Sequence, residues 1–309
     1  MKKRIIVISG PTSVGKSDIA ISVAQRIGGE IVSADSMQVY KGMDIGTGKM
    51  KTDEMQGIRH HLIDVMDPRD DFNVSKFRDM ATVAIEDIVS RGKIPIIVGG
   101  TGFYIKSLLC TGAVGDPGKD SEFKEQLRAR ADNEGVSILR DELLGIDPVY
   151  AERITKNDRS RIIRALEYCH TTGVLYSDYC DSSESNEPKY DAKLFVLECD
   201  REILYRRMDE RIDKMMEKGL VDEVERLLEG GVDRNCTSMN GIGYKEIASF
   251  LSGEIPLDEA VRQIKSNTHH YAVRQSTWFR KQKGSIVVDA SDKDEAIKKI
   301  LISISSSCV

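Results

Sequence analysis

The chain has 309 residues, 40% hydrophobic and 31% charged, a balance that suits a globular protein of one large or two modest domains. Its formal net charge of −5 excludes a generally basic polyanion binder, so contact with nucleic acid has to come from a local patch. Cys110, Cys169, Cys180, Cys199, Cys236 and Cys308 form no Cys-x-x-Cys pair or metal-ligand spacing and read as reduced cytoplasmic thiols, Ile5–Ile8 is too short for a signal peptide, and no stretch approaches membrane-spanning length.

From the N-terminus, short β-branched runs alternate with helical patterns. Residues 4–9, 30–33 and 94–98 read as strands, and 17–27 and 75–91 as helices. Such alternation predicts a parallel sheet covered by helices. Gly112, Gly115, Pro117 and Gly118 then punctuate residues 111–120 and mark a domain boundary. Residues 121–170 are helical and charge-rich, and the polar segment 182–189 reads as a loop. Strand character returns at 193–199, and the helix expected at 203–218 stops at Gly219. Helices continue to Lys283, followed by an apolar run at 285–288 and a closing helix after Ser291. The expected fold class is α/β: a P-loop-type parallel sheet flanked by helices, built from residues 1–115 and 192–309, with a helical insertion domain at 116–191.

Gly10, Pro11, Thr12, Ser13, Val14, Gly15, Lys16 and Ser17 have the Walker-A spacing and stand between a predicted strand and a predicted helix, where its mechanism requires them. Glycines let backbone amides turn toward one point, the helix N-terminus adds positive potential, and Lys16 adds a formal charge for terminal phosphate oxygens. Ser17 is placed to bring its hydroxyl to a Mg²⁺ ion that bridges those oxygens. A nucleotide hydrolase also needs a strand ending in an acid that orients metal and water. Here residues 94–98 run into Gly99-Gly100-Thr101-Gly102 instead, and Asp64 and Asp289 are the remaining candidates for that part. Hydrolysis is the weaker reading.

The second strand leads into Asp35, Ser36, Met37 and Gln38, which puts Asp35 at the carboxyl edge of the sheet, the edge that carries the phosphate loop. A proton acceptor belongs there, although a carboxylate at a strand end also caps turns. Between Val261 and Lys283 lie six basic residues, Arg262, Lys265, Arg274, Arg280, Lys281 and Lys283, and no acid. Tyr271, Trp278 and Phe279 are interleaved with them as base-stacking surfaces or apolar anchors. A second basic segment carries Arg153, Lys156, Arg159, Arg161 and Arg164. The paired histidines His60 and His61, which precede an expected strand, and likewise His269 and His270, read as hydrogen-bonding structure, not as catalysts.

These motifs resemble the tRNA dimethylallyltransferase family, also called tRNA isopentenyltransferases, in its bacterial form. The resemblance runs over nearly the whole chain, through GPTSVGKS at 10–17, DSMQVYKGMDIGTGK at 35–49, HHLID at 60–64, GGTGFYIKSLL at 99–109, NDRSRIIRALE at 157–167, GIGYKE at 241–246 and RQSTWFRK at 274–281. It implies transfer of a five-carbon group from dimethylallyl diphosphate to the exocyclic amine of the adenosine 3′ to the anticodon, with diphosphate, not ATP, in the phosphate loop. By that resemblance Asp35 takes the amine proton, Thr101 lies near the diphosphate and the allylic carbon, and Arg211 neutralises departing charge; read from the residues alone, Arg211 is equally a surface charge and Thr101 a helix cap.

The family match also implies that tRNA meets Asp35, Ser36, Met37 and Gln38, then Ser160, Arg161, Ile162, Ile163 and Arg164, and then Asn240, Gly241, Ile242, Gly243, Tyr244 and Lys245. The implied partners are a tRNA anticodon stem-loop and dimethylallyl diphosphate, with no membrane, and the implied assembly is a cytoplasmic monomer. Val273 stands where lysine is common in the family and Met50 where proline is common, which puts one RNA contact in doubt. No Cys/His zinc-finger extension of the eukaryotic kind is present. The competing readings are an adenylate isopentenyltransferase that makes a cytokinin, a P-loop small-molecule kinase, and an RNA-binding module, the last of which leaves the phosphate loop unexplained.

Overall fold

The computed structural model describes residues 2–111, 121–184 and 187–306. Its six strands are β1 (Arg4–Ser9), β2 (Gly29–Ser33), β3 (His60–His61), β4 (Ile94–Gly99), β5 (Asp191–Glu198) and β6 (Ile286–Asp289). They form one sheet in the order β3-β2-β4-β1-β5-β6, every neighbouring pair parallel. In β1, Ile5 and Val7 pack into one core layer while Ile6 and Ile8 pack into the other, so alternation sends apolar side chains to both faces.

Helices α1 (Lys16–Ile27), α2 (Val74–Ser90) and α3 (Gly102–Leu109) follow β1, β3 and β4. Five helices, α4 (Ser121–Glu134), α5 (Val136–Ile146), α6 (Pro148–Arg153), α7 (Arg159–Thr172) and α8 (Tyr176–Glu184), come between α3 and β5 among the described residues. The remainder are α9 (Arg201–Glu217), α10 (Leu220–Glu229), α11 (Tyr244–Leu251), α12 (Leu257–Arg280) and α13 (Lys293–Ser305). The chain divides into two compact units, Met1–Leu109 with Pro188–Val309, and Cys110–Glu187. The first unit contains the sheet. The second has its own core, with Leu127, Leu139, Leu143, Ile162 and Leu166 at its centre. In it the buried Asp147 caps α6 through the N–H of Tyr150 at 3.0 Å and takes the N–H of Ser177 in α8 at 2.7 Å.

β1 lies between β4 and β5, with β2 to β4 on one side and β5 and β6 on the other. Strand order reverses there, and the carboxyl ends of the strands open a crevice. The strand ends are closely drawn together. Ser9 Oγ donates to the carbonyl of Gly99 at 2.6 Å, and the N–H of Ala34 donates to Val98 at 2.7 Å. Gly99 permits this approach, since a Cβ there would lie 2.2 Å from the carbonyl oxygen of Ala34.

Two local expectations need correction. His60 and His61 do not precede a strand; they are β3, which ends because Leu62 (φ 63°) and Asp64 (φ 56°) adopt left-handed backbone. The segment expected as a loop from 182 begins inside α8, which runs to Glu184 with no glycine or proline to stop it. The boundary signalled by Gly112, Gly115, Pro117 and Gly118 lies outside the described residues, as does Cys308.

Candidate active site

The phosphate loop joins β1 to α1 and depends on positive φ at Gly10 (143°), Ser13 (61°) and Gly15 (96°). Gly10 also has no room for a side chain: a Cβ would lie 2.5 Å from the carbonyl oxygen of Leu197. Gly15 is the N-cap of α1 and supplies no capping side chain, which leaves the first-turn N–H groups to an anion at the positive end of the helix. Pro11 and Val14 are buried and seat the loop, while Thr12, Ser13, Lys16 and Ser17 line cavities. Lys16 Nζ donates to the carbonyls of Gly10 at 3.0 Å and Pro11 at 2.7 Å. Burial lowers its pKa to about 8, against the pull of Asp35 and with a smaller push from Arg211.

Asp35 stands two residues beyond β2. Its Oδ1 accepts the N–H of Met37 at 2.8 Å and of Gln38 at 3.2 Å, so the side chain does cap the following turn. The carboxylate also lines two adjoining cavities. Arg211 comes from α9 on the opposite wall; its Nη2 donates to the carbonyl of Thr47 at 3.1 Å and its Nη1 reaches Thr12 Oγ1 at 3.5 Å. Burial pushes the guanidinium pKa down and the Asp35 carboxylate pushes it up. Thr101 opens α3, its carbonyl taking the N–H groups of Tyr104 at 3.0 Å and Ile105 at 3.2 Å. Unlike Asp35 and Arg211 it does not line either cavity; its side chain hydrogen-bonds with the Tyr271 hydroxyl, and Tyr271 lines both.

The two cavities share Thr12, Ser13, Asp35, Thr47, Arg211 and Tyr271. The more polar one, about 570 Å³, lies over the phosphate loop and adds Lys16, Ser17, Asp18 and Arg207. The other, about 330 Å³, has an apolar wall of Met208, Ile212, Met215, Leu220 and Ile264. One polyanionic and one apolar moiety can therefore meet beside a single carboxylate. A Mg²⁺ ion fits the donor set of the polar cavity, which presents the Ser17 hydroxyl with the carboxylates of Asp18 and Asp35. Among the described residues no group of three His, Cys, Asp or Glu side chains is suited to a metal. Asp64, bound to Lys49, and Asp289, bound to the N–H of Ser291, line neither cavity.

Sequence reasoning passed over Gln275 and Glu223 and read Tyr271 as a stacking surface or an apolar anchor. Gln275 Oε1 accepts the Thr12 N–H and its Nε2 donates to the carbonyl of Gly100, both at 2.9 Å. Burial raises the Tyr271 pKa to about 12, Asp35 adds to the rise, and the Thr101 and Gln275 side chains oppose it. A signal was present: Gln275 shares the buried stripe of α12 with Ile264, Ala272 and Phe279, and Glu223 that of α10 with Leu220, Val224 and Leu227. A polar residue on an apolar stripe requires a buried partner.

A family model described as IPP transferase matches residues 38–282. The chain belongs to this family. A tRNA dimethylallyltransferase of Lachnoclostridium phytofermentans is 46% identical over 288 residues, 93% of this chain and 92% of that protein. Among solved structures, the tRNA isopentenylpyrophosphate transferase of Bacillus halodurans is 40% identical with a TM-score of 0.74, over 99% of this chain and 96% of that one. A eukaryotic dimethylallyltransferase acting on tRNA is 32% identical with a TM-score of 0.82, over 98% of this chain and 79% of that one.

In this chain the segments expected at tRNA contain both exposed and buried residues. Ser36 and Met37 line the apolar cavity and Gln38 the polar one. Asn240 and Lys245 are exposed and Ile242 half-buried. Gly241 leaves space for Met37, whose Cε would lie 2.6 Å from a Cβ there, and Gly243 adopts φ 100°. Tyr244 is 1% exposed with its hydroxyl spent on Glu223, and it lines the apolar cavity beside Gly241 and Gly243. Ile162 and Ile163 are corrections: they lie in the core of the second unit because α7 turns that stripe inward. Ser160 and Arg161 are exposed, while Arg164 bonds to the buried Glu167 at 3.3 Å.

The basic stretch of α12 is also more structural than expected. Lys265 pairs with Asp213 at 2.7 Å, Arg280 with Glu198 at 2.9 Å, and Arg262 with Glu259. Phe279 is fully buried and Trp278 packs against the core beside Gly102, so neither offers a free stacking face. Val273, at the family's lysine position, is 45% exposed. Three of the four paired histidines make structural contacts: His60 Nδ1 lies 2.9 Å from the carbonyl of Ile58, His61 Nε2 lies 2.8 Å from Glu30, and His269 Nε2 lies 2.9 Å from Asp209 while stacking on Tyr205; His270 is exposed.

Proposed function

We propose that the chain transfers a dimethylallyl group from dimethylallyl diphosphate to the exocyclic N6 amine of the adenosine 3′-adjacent to a tRNA anticodon, releasing diphosphate. The observation that carries this reading is Asp35 in the wall common to the polyanion-type cavity and the apolar cavity. The diphosphate lies along Gly10–Ser17 with Lys16 and Arg211 on its oxygens, and the dimethylallyl group rests against Met208, Ile212 and Met215. Adenine enters the apolar cavity past Met37 and Gly241–Gly243. The C1–O bond breaks with its electron pair going to the diphosphate, a bond forms from N6 to C1, and the N6 proton passes to Asp35 Oδ2. Cations preorganised at the leaving oxygens stabilise charge that appears only in the transition state. The apolar wall keeps water from the allylic carbon. Ser17 would hold a Mg²⁺ ion there, which would supply further neutralisation of the diphosphate.

The tRNA surface in this reading is Asp35–Gln38, Asn240, Ile242 and Lys245, with Ser160, Arg161 and Arg164 from the insertion. Positioning comes from phosphate contacts of the arginines, and the flipped adenine costs less to extrude from a loop than from a duplex. We read the active form as a monomer, and a tRNA substrate puts the work in the cytoplasm. The test is incubation with unmodified tRNA and labelled dimethylallyl diphosphate, followed by nucleoside mass analysis. N6-prenyladenosine is the expected product. Transfer to free adenosine monophosphate alone would replace this reading by the cytokinin enzyme, and phosphate transfer from ATP to a metabolite hydroxyl by a kinase.

A further inference from the structure

Glu223 is 3% exposed, and among the described residues it has no ion-pair partner. Its carboxylate is nevertheless fully engaged. Oε2 accepts the N–H groups of Asp44 at 3.0 Å and Ile45 at 2.8 Å, and Oε1 accepts the N–H of Gly46 at 3.1 Å and the hydroxyl of Tyr244 at 2.6 Å. Three successive backbone amides around one carboxylate make an anion-holding nest, here filled by the protein's own side chain. The next residue, Thr47, offers its carbonyl as the acceptor for Arg211 Nη2 at 3.1 Å. Space is matched as closely as charge. A Cβ on Gly48 would lie 1.9 Å from Arg211 Nη2, and one on Gly46 would lie 2.6 Å from the Tyr244 ring.

We infer that Glu223 is a positioning residue that sets Arg211 against the leaving diphosphate, acting through the turn Asp44–Gly48. The inference rests on the diphosphate reading of the site above. Among the described residues Arg211 has one backbone acceptor, Thr47, the residue that directly follows the three whose amides Glu223 holds. Glutamine at 223 keeps the shape but brings an NH₂ group into a site surrounded by four donors, so at least one donor is left facing another. The turn must then shift, and Arg211 loses its aim. A purely structural Glu223 would lower stability without caring whether Arg211 is present.

The test is a double-mutant cycle read by calorimetry with inorganic pyrophosphate and Mg²⁺, on the wild-type protein, Glu223→Gln, Arg211→Ala and the double variant, at a temperature where all are folded. We expect each single change to weaken pyrophosphate binding about tenfold or more, the loss of a charge-assisted contact. The double variant should bind no more weakly than Arg211→Ala alone. Wild-type affinity in Glu223→Gln, or losses that multiply in the double variant, would overturn the inference while leaving the proposed reaction intact. Absence of pyrophosphate binding by the wild-type protein would sink both. If Glu223→Gln does not fold, Tyr244→Phe removes one of the four donors and serves in the same cycle: a smaller weakening, silent beside Arg211→Ala, is expected, and one that persists there rejects the coupling.

Discussion

Gln275 holds Thr12 from across the fold: one side-chain amide takes the Thr12 N–H at 2.9 Å and gives its own N–H to Gly100 at 2.9 Å. It thereby ties the β1–α1 loop to the β4–α3 turn. Gln275→Met keeps the volume and removes both bonds. It should cost about 1–3 kcal/mol in urea unfolding, since a buried donor and acceptor lose their partners. The KM for the prenyl diphosphate should rise with it. An unchanged KM would mean that the loop keeps its shape without the clip.

Asp35→Asn preserves an oxygen for the Met37 and Gln38 amides and removes the proton acceptor. Prenyl transfer at saturation should fall about 100- to 10,000-fold, the usual contribution of a positioned base. Pyrophosphate affinity should stay near that of the wild type. Full turnover in this variant would remove Asp35 from the chemistry.

Lys16 makes donor capture dependent on pH. Its folded pKa of about 8 lies below the 10.5 of the unconstrained side chain. Between these values the unfolded chain binds more protons, so this group's burial penalty is complete below pH 8 and relieved as pH rises through the window. Function runs the other way: the cation that meets the diphosphate is lost from the free protein above about pH 8. kcat/KM for the donor should therefore decline there, while kcat at saturation holds to higher pH because a bound anion favours protonated lysine. Lys16→Arg should abolish the alkaline limb. A kcat/KM profile that stays level well beyond pH 8 would contradict this account.

Arg161 is the cleaner probe of RNA binding by the second unit. It is exposed, whereas Arg164 also serves the buried Glu167. Arg161→Ala should lower the slope of log K against log salt for tRNA by about one unit without altering the melting temperature. Arg164→Ala should lower the melting temperature as well. An unaltered slope for Arg161→Ala excludes a phosphate contact there.

Gly102→Ala tests the packing of α12 on α3. A Cβ at Gly102 would lie 2.3 Å from the Trp278 ring, which cannot yield without moving its neighbours. The expected destabilisation is about 1–3 kcal/mol, the range for overpacking, measured by chemical unfolding. Stability equal to that of the wild type would show that Trp278 has room to retreat.

Legibility from sequence followed the range of the interactions. The phosphate loop, the parallel strands and the position of Asp35 could be read because each depends on local pattern: β-branched runs, glycines where φ is positive, and a helix start directly after Lys16. Arg211 as a site residue needed the family resemblance, since its own surroundings in sequence read equally as a surface charge. Ile162 and Ile163 were misjudged because a motif names a run of residues, whereas a helix sends only some of them outward.

The amino-acid order by itself determined the sheet, the helices and the anion loop, because backbone conformation and apolar periodicity are set by near neighbours. Only the tertiary structure decided that Gln275 holds Thr12, that Glu223 gathers the amides of Asp44, Ile45 and Gly46, and that Phe279 is core. Those contacts join residues 177–263 positions apart, and a buried polar group finds its partner by where the chain returns in space, a fact that no local pattern encodes.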